Sequence, residues 1–106
     1  MVSSEAMKVA HGFKERLAKT FGRPIKVVLF GSRARGNFFD DSDYDFIVVS
    51  KAFDNVPELD RYALARKQWQ THAPVDILCY APKEAKRAIT HSQSIFAQAI
   101  AQGITV

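Results

Sequence analysis

Two aspartates, Asp43 and Asp45, stand two residues apart at the start of an apolar run that ends at Val49. In a β-strand the side chains alternate between the two faces, so residues two apart point the same way. Two carboxylates on one face repel each other, and their charge is costly beside a hydrophobic core. A hard cation such as Mg²⁺ would offset this cost, because it binds carboxylates together with phosphate oxygens. The spacing therefore indicates a divalent-metal site.

A third carboxylate, Asp76, lies near the start of the apolar run from Val75 to Tyr80. A charge at this position needs a partner, and the obvious partner is the same cation, reached from a neighbouring strand. Three carboxylates around one or two Mg²⁺ ions suit in-line phosphoryl or nucleotidyl transfer. Each observation alone has a simpler explanation: Asp76 could pair with a lysine, and an Asp-x-Asp pair is common at exposed strand edges.

A glycine-serine pair, Gly31 and Ser32, follows the apolar run from Ile25 to Phe30. Glycine lets the backbone approach a ligand closely, and free N–H groups at the start of a helical turn favour phosphate. Arg33 and Arg35 could add positive charge toward a triphosphate. Taken singly, these residues also fit a plain turn with surface charges, but their order and spacing together indicate a nucleotide site.

The elements that position these residues follow from the hydrophobic periodicity and the glycine and proline punctuation. The predicted elements are a helix from Ser4 to Phe21, a strand from Ile25 to Phe30, a helical turn from Ser32 to Arg35, a polar loop from Asn37 to Ser42, a strand from Tyr44 to Val49, a helix that starts within Asp54 to Pro57 and runs to about Thr71, a strand from Val75 to Tyr80, a helix from Pro82 to Ile89, and a helix over Ile95 to Ile100. Ile104 to Val106 is either a frayed tail or a short extra strand. Strands interleaved with helices predict an α/β or α+β layered domain.

Several details of the helices are also predicted. The residues expected to be buried are Leu59, Tyr62, Ala63 and Trp69 in the helix that runs to about Thr71 and Ile95, Phe96, Ala99 and Ile100 in the last helix. The sequence from Thr90 to Gln93 fits a capping box for the last helix. Phe38 and Phe39, inside the polar loop, could fill the core, narrow a nucleotide pocket or face a partner.

Composition limits the classes of function. The chain has 106 residues, which fits one domain over residues 1–106. Its net charge of +4 suits a polyanionic ligand, but the basic residues form no stripe with interleaved aromatics, which makes nucleic-acid binding the weaker alternative. One cysteine excludes an intrachain disulfide, and no apolar run approaches the roughly 18 residues of a membrane span. We expect a cytoplasmic protein, because the N-terminus lacks a secretory apolar region.

The segment from Gly31 to Gly36, GSRARG, followed after five residues by Ser42-Asp43-Tyr44-Asp45, resembles the signature of the minimal nucleotidyltransferases. These belong to the DNA polymerase beta-like nucleotidyltransferase superfamily. Asp76 falls where that family places its third carboxylate, and the resemblance covers about residues 25–80. It implies an α+β fold with a small mixed sheet of three or more strands and helices packed on it.

The resemblance also implies an activity: Mg²⁺-dependent transfer of a nucleoside monophosphate, with ATP or another nucleoside triphosphate as donor, to an acceptor hydroxyl. The catalytic and metal-binding residues, for which two ions are expected, would be Asp43, Asp45 and Asp76. The nucleotide-binding residues would be Gly31, Ser32, Arg33, Arg35 and Ser42. Arg35 or Ser42 could instead only brace the loop, and Asp76 would also help to deprotonate the acceptor.

Members of this size resemble the nucleotidyltransferase half of two-gene modules, in which the partner is an all-helical protein and several members act as antitoxins. A domain of 106 residues has little room for an acceptor pocket, so we expect the acceptor surface from a separately encoded partner or a second copy. The alternative is a non-catalytic module of the same fold that neutralises its helical partner by contact.

Overall fold

The computed structural model describes residues 1–36 and 42–106 of the chain. Its elements are α1 (Ser4–Phe21), β1 (Ile25–Phe30), α2 (Gly31–Arg35), β2 (Tyr44–Ser50), a 3₁₀ turn (Lys51–Phe53), α3 (Glu58–Arg66), β3 (Val75–Tyr80), α4 (Pro82–Ile89), α5 (Ile95–Gln102) and β4 (Ile104–Thr105). Phe38 and Phe39 of the predicted polar loop lie outside the described residues.

The strands of the described residues form one mixed sheet in the order β3-β2-β1-β4. Strand β1 pairs antiparallel with both β2 and β4, whereas β2 and β3 run parallel. The predicted α+β fold with a small mixed sheet is therefore confirmed, and the last residues form the short extra strand rather than a frayed tail. Within residues 1–36 and 42–106, none of the helices has both the length and the apolar character to cross a membrane.

The two faces of the sheet contact different hydrophobic clusters. Phe46 and Val48 of β2 point to the larger cluster, where they meet Phe13 of α1. Ile47 points to the smaller cluster, which α4 and α5 cover. Because side chains two apart in a strand share a face, Asp45 lies on the side of the sheet that carries α4 and α5.

The first helix has the predicted bounds, Ser4–Phe21. Ser3 begins it, because its Oγ accepts a hydrogen bond from the Ala6 backbone N–H at 3.0 Å. Phe13 and Leu17 are fully buried on its inner face. The helix thus supplies the apolar layer behind the strands that carry the candidate site residues.

The helix α3 is shorter than predicted, and it ends at Arg66 rather than near Thr71. The chain turns after Arg66 and inserts Trp69 into the larger hydrophobic cluster. The Trp69 indole N–H donates to the Ala73 carbonyl at 2.8 Å, which holds the turned segment in place. The burial of Trp69 was predicted, but the turn that achieves it was not.

The inner face of α3 also differs from the prediction. Leu59 is 85% exposed, and Tyr62 and Ala63 are exposed as well. Arg61 is buried in their place, and its guanidinium donates two hydrogen bonds, at 2.5 and 3.0 Å, to the Glu84 carboxylate on α4. This ion pair fixes the rotation of α3 and turns the apolar residues outward.

The last helix, α5, begins at a different cap from the one predicted. Ser94 caps it through a hydrogen bond from the Ala97 backbone N–H to Oγ at 3.0 Å, so the expected capping box over Thr90 to Gln93 is wrong. Ile95, expected in the core, is 61% exposed. With Ser94 as the cap, Ile95 falls on the same helical stripe as the exposed Gln98.

Candidate active site

Asp45 and Asp76 are direct partners in the parallel pairing of β2 with β3. Paired residues point to the same face, and neighbouring strands lie about 4.8 Å apart, so the two carboxylates leave the sheet side by side. Asp45 is half-buried and Asp76 is exposed. The fold therefore brings together two acids that lie 31 positions apart in the printed sequence.

Asp43 lies just before β2 and is exposed to solvent. Burial raises the pKa of the Asp45 carboxyl, the negative charges of Asp76 and Asp43 raise it further, and the positive charge of Arg35 opposes them. Two of the predicted acids and one predicted arginine thus act on the carboxylate of the third acid. They form one electrostatically coupled group at the end of the sheet.

This group fits a hard divalent cation whose remaining ligands come from a substrate. Its donors are all carboxylate oxygens, and a cation would relieve their repulsion. Within residues 1–36 and 42–106, no three His, Cys, Asp or Glu side chains converge closely enough to hold a metal ion on their own. Mg²⁺ commonly binds one or two carboxylates together with phosphate oxygens, which matches such an open arrangement.

A salt bridge with a lysine was the alternative explanation for Asp76. The ion pairs formed within the described part of the chain are Arg23–Glu15 and Arg61–Glu84, and Asp76 belongs to neither. Its negative charge instead acts on another acid, Asp45, whose pKa it raises. The geometry therefore favours a shared site over an isolated surface charge.

Gly31 lies against the carboxylate of Asp45 on the neighbouring strand. Phe30, the last residue of β1, pairs with Asp45, and Gly31 follows it with φ +75° in the left-handed region that favours glycine. A Cβ at residue 31 would collide with Asp45 Oδ2 and lie 3.2 Å from Asp45 Cγ. Glycine is therefore required here for its backbone conformation and for the close approach of the acid.

Arg33 braces the entry to β2 on the core side of the sheet. Its side chain is only 7% exposed, and its Nε and Nη2 donate to the Ser42 carbonyl at 3.2 and 3.0 Å. The guanidinium carbon lies 4.3 Å from the centroid of the Tyr44 ring. Tyr44 faces the larger cluster, so these contacts place Arg33 on the opposite side of β2 from Asp45.

Ser32 and Arg35 follow Gly31 within α2. Arg35 is exposed and lies close enough to Asp45 to lower its pKa, whereas Ser32 is half-buried. Arg35, Gly31 and Phe30 also line a pocket of about 120 Å³ against α5. The structure thus separates the two arginines, with Arg35 at the acids and Arg33 beneath the strand.

The residues of α5 that line this pocket were not predicted as site residues. Ile95, Gln98 and Gln102 lie three and four positions apart, so they form one stripe of the helix. That spacing is visible in the sequence. Because Ile95 was predicted to be buried, however, this stripe was not considered as an exposed surface that could bind a ligand.

The mixed sheet with helices packed on it is a nucleotidyltransferase-like fold, and it carries the candidate acids on adjacent strands beside a glycine-serine turn. Residues 10–101 match the family model of the nucleotidyltransferase domain, so the chain belongs to this family. It is a transferase, and the predicted membership of the DNA polymerase beta-like superfamily, as a minimal nucleotidyltransferase, is confirmed.

Comparison with solved structures supports the same conclusion. The chain is similar to a crystal structure named a putative nucleotidyltransferase from Sulfolobus solfataricus, with 30% sequence identity and a TM-score of 0.62. The match covers 78% of this chain and 73% of that chain. A comparison with curated proteins gave no significant match.

The contact between Gly31 and Asp45 can be tested with matched alanine substitutions. Gly22→Ala and Gly31→Ala both place alanine at a positive φ, +87° and +75°, which should destabilise each variant by roughly 1–3 kcal/mol in urea unfolding. Only the Gly31 variant adds a Cβ against a carboxylate, because nothing lies within 4 Å of the corresponding position at Gly22. Gly31→Ala should therefore be the less stable variant and should bind Mg·ATP more weakly by calorimetry. Equal stability and equal binding would contradict the contact.

Removal of one acid should stabilise the metal-free protein. Because the pKa of Asp45 is raised in the folded protein, ionisation of this carboxyl lowers the free energy of unfolding. The loss disappears below the ordinary pKa of 3.8, where the carboxyl is protonated in both the folded and the unfolded protein. Asp76→Asn should therefore raise Tm modestly at pH 7 in EDTA, with a gain that shrinks as the pH falls toward that value. Asp54→Asn, at an exposed position, is the control for the change in net charge. A Tm for Asp76→Asn at or below that of wild type would argue against repulsion at this site.

Proposed function

We propose that this chain is an Mg²⁺-dependent nucleotidyltransferase that transfers AMP, or another nucleoside monophosphate, from a nucleoside triphosphate to an acceptor hydroxyl. The observation that carries the proposal is the in-register pair of Asp45 and Asp76, with Asp43 beside it. Family membership supports the reaction class. The acidic oxygen donors support the metal, and the glycine-serine turn supports the triphosphate.

In this proposal the three acids divide the work by position. Asp43 and Asp45 lie on the chain segment next to Gly31, and they hold one or two Mg²⁺ ions together with the phosphate oxygens of the donor. When bound, Mg²⁺ supplies positive charge that stabilises the triphosphate and the leaving pyrophosphate. Asp76 completes the site and accepts the proton of the acceptor hydroxyl at its exposed carboxylate.

The phosphates are bound at the start of α2. We assign this role to the backbone N–H of Gly31, the hydroxyl of Ser32 and the guanidinium of Arg35, whose positive charge acts on Asp45. We assign Arg33 to bracing instead, because its guanidinium already bonds the Ser42 carbonyl. Ser42 then acts through this contact, which fixes the backbone immediately before the acids.

The acceptor hydroxyl comes from a second chain. Asp76 is exposed, and β3 is one of the two edge strands of the described sheet, so an acceptor can approach its carboxylate from solvent or from another protein. Leu59 and Tyr62 expose apolar surface beside the same strand, around a pocket of about 520 Å³. Exposed apolar surface of this kind favours a protein partner. A separately encoded helical protein of a cytoplasmic toxin-antitoxin module, or a second copy of this chain, fits that description.

Isothermal titration calorimetry with ATP, in the presence and absence of Mg²⁺, tests the proposal. Wild type should bind ATP in a Mg²⁺-dependent way, and Asp43→Ala/Asp45→Ala should lose at least ten-fold in affinity, because the protein ligands for the cation are removed. The matched control is Asp54→Ala/Asp60→Ala, which removes two exposed acids elsewhere. The proposal fails if wild type does not bind Mg·ATP or if the double variant binds it as wild type does.

A further inference from the structure

We infer that the pocket between α5 and the segment after β1 receives the base of the donor nucleotide, an inference that rests on the proposed function. The pocket has a volume of about 120 Å³. Pockets that hold whole drug-sized ligands measure roughly 300–1,000 Å³, so this one suits a single ring system. Its lining residues are Phe30, Gly31, Arg35, Ile95, Gln98, Ala99 and Gln102.

Three of the residues that line the pocket are neighbours of Asp45. Phe30 lines it and is the direct strand partner of Asp45, so both side chains lie on the same face of the sheet. Gly31 also lines it and contacts the Asp45 carboxylate. Arg35 completes the link, because it lines the pocket and lowers the pKa of Asp45. A ligand whose phosphates lie at Gly31 and Arg35 therefore has its next group beside this pocket.

The chemistry of the α5 stripe matches a nucleobase better than a further phosphate. Ile95 and Phe30 offer apolar surface for the face of a ring. Gln98 and Gln102 are exposed primary amides, and each amide carries both donors and an acceptor, as the edge of a base does. Gln98 Nε2 now donates to the Gln93 carbonyl at 3.3 Å, a long hydrogen bond that a better acceptor can replace.

The experiment compares two ligands on matched variants. Calorimetry measures the affinities for Mg·ATP and for Mg·tripolyphosphate, which has the phosphates without a base. The test variant is Gln98→Ala/Gln102→Ala, and the control is Gln70→Ala/Gln93→Ala, at two exposed glutamines outside the pocket. We expect the test variant to lose about ten-fold in affinity for Mg·ATP and to keep wild-type affinity for Mg·tripolyphosphate, with the control unchanged for both.

Other outcomes separate this inference from the proposed function. Wild-type affinity of the test variant for Mg·ATP would overturn the base pocket and leave the proposed function intact. An equal loss for both ligands would also overturn it, because the glutamines would then act on the phosphates or on the fold. If wild type binds neither ligand, the proposed function fails and the base pocket fails with it.

Discussion

The parallel pairing of β2 with β3 is the constraint on which the site depends, because it sets two like charges side by side at Asp45 and Asp76. A shift of this register by one residue would turn Asp76 to the opposite face of the sheet. Buried neighbours prevent the shift: Ile77 packs into the larger cluster, while Leu78 packs against the smaller one. The hydrophobic core thus holds the acids together against their repulsion, and Gly31 leaves the space that the Asp45 carboxylate needs.

The same arrangement assembles the candidate site from a few neighbouring elements. Asp45 lies near the start of β2, and Gly31 follows the end of the neighbouring strand β1. Gly31 and Arg35 also line a pocket together with residues of α5. Arg33 connects α2 to the segment just before β2 through its hydrogen bonds to the Ser42 carbonyl, on the side of the sheet that faces the larger cluster. The candidate site is therefore assembled from backbone register and one buried arginine rather than from long loops of the described chain.

Much of the fold was predictable because its signals are local. The bounds of α1 and β1 follow from periodicity, a serine cap, glycine and proline, and the three acids follow from spacing within apolar runs. The rotation of α3 was not predictable, because it depends on an ion pair between Arg61 and Glu84, 23 residues apart. The role of Arg33 was hidden for a similar reason, since its partner Tyr44 begins the next strand and its partner Ser42 lies just before that strand.

A crystal structure of the protein soaked with Mg²⁺ and a non-hydrolysable ATP analogue tests the central claim most directly. The account predicts metal density in contact with the carboxylates of Asp43 and Asp45, near Asp76, and the triphosphate over Gly31. Metal at another position, or an analogue bound with its phosphates away from these acids, would contradict it.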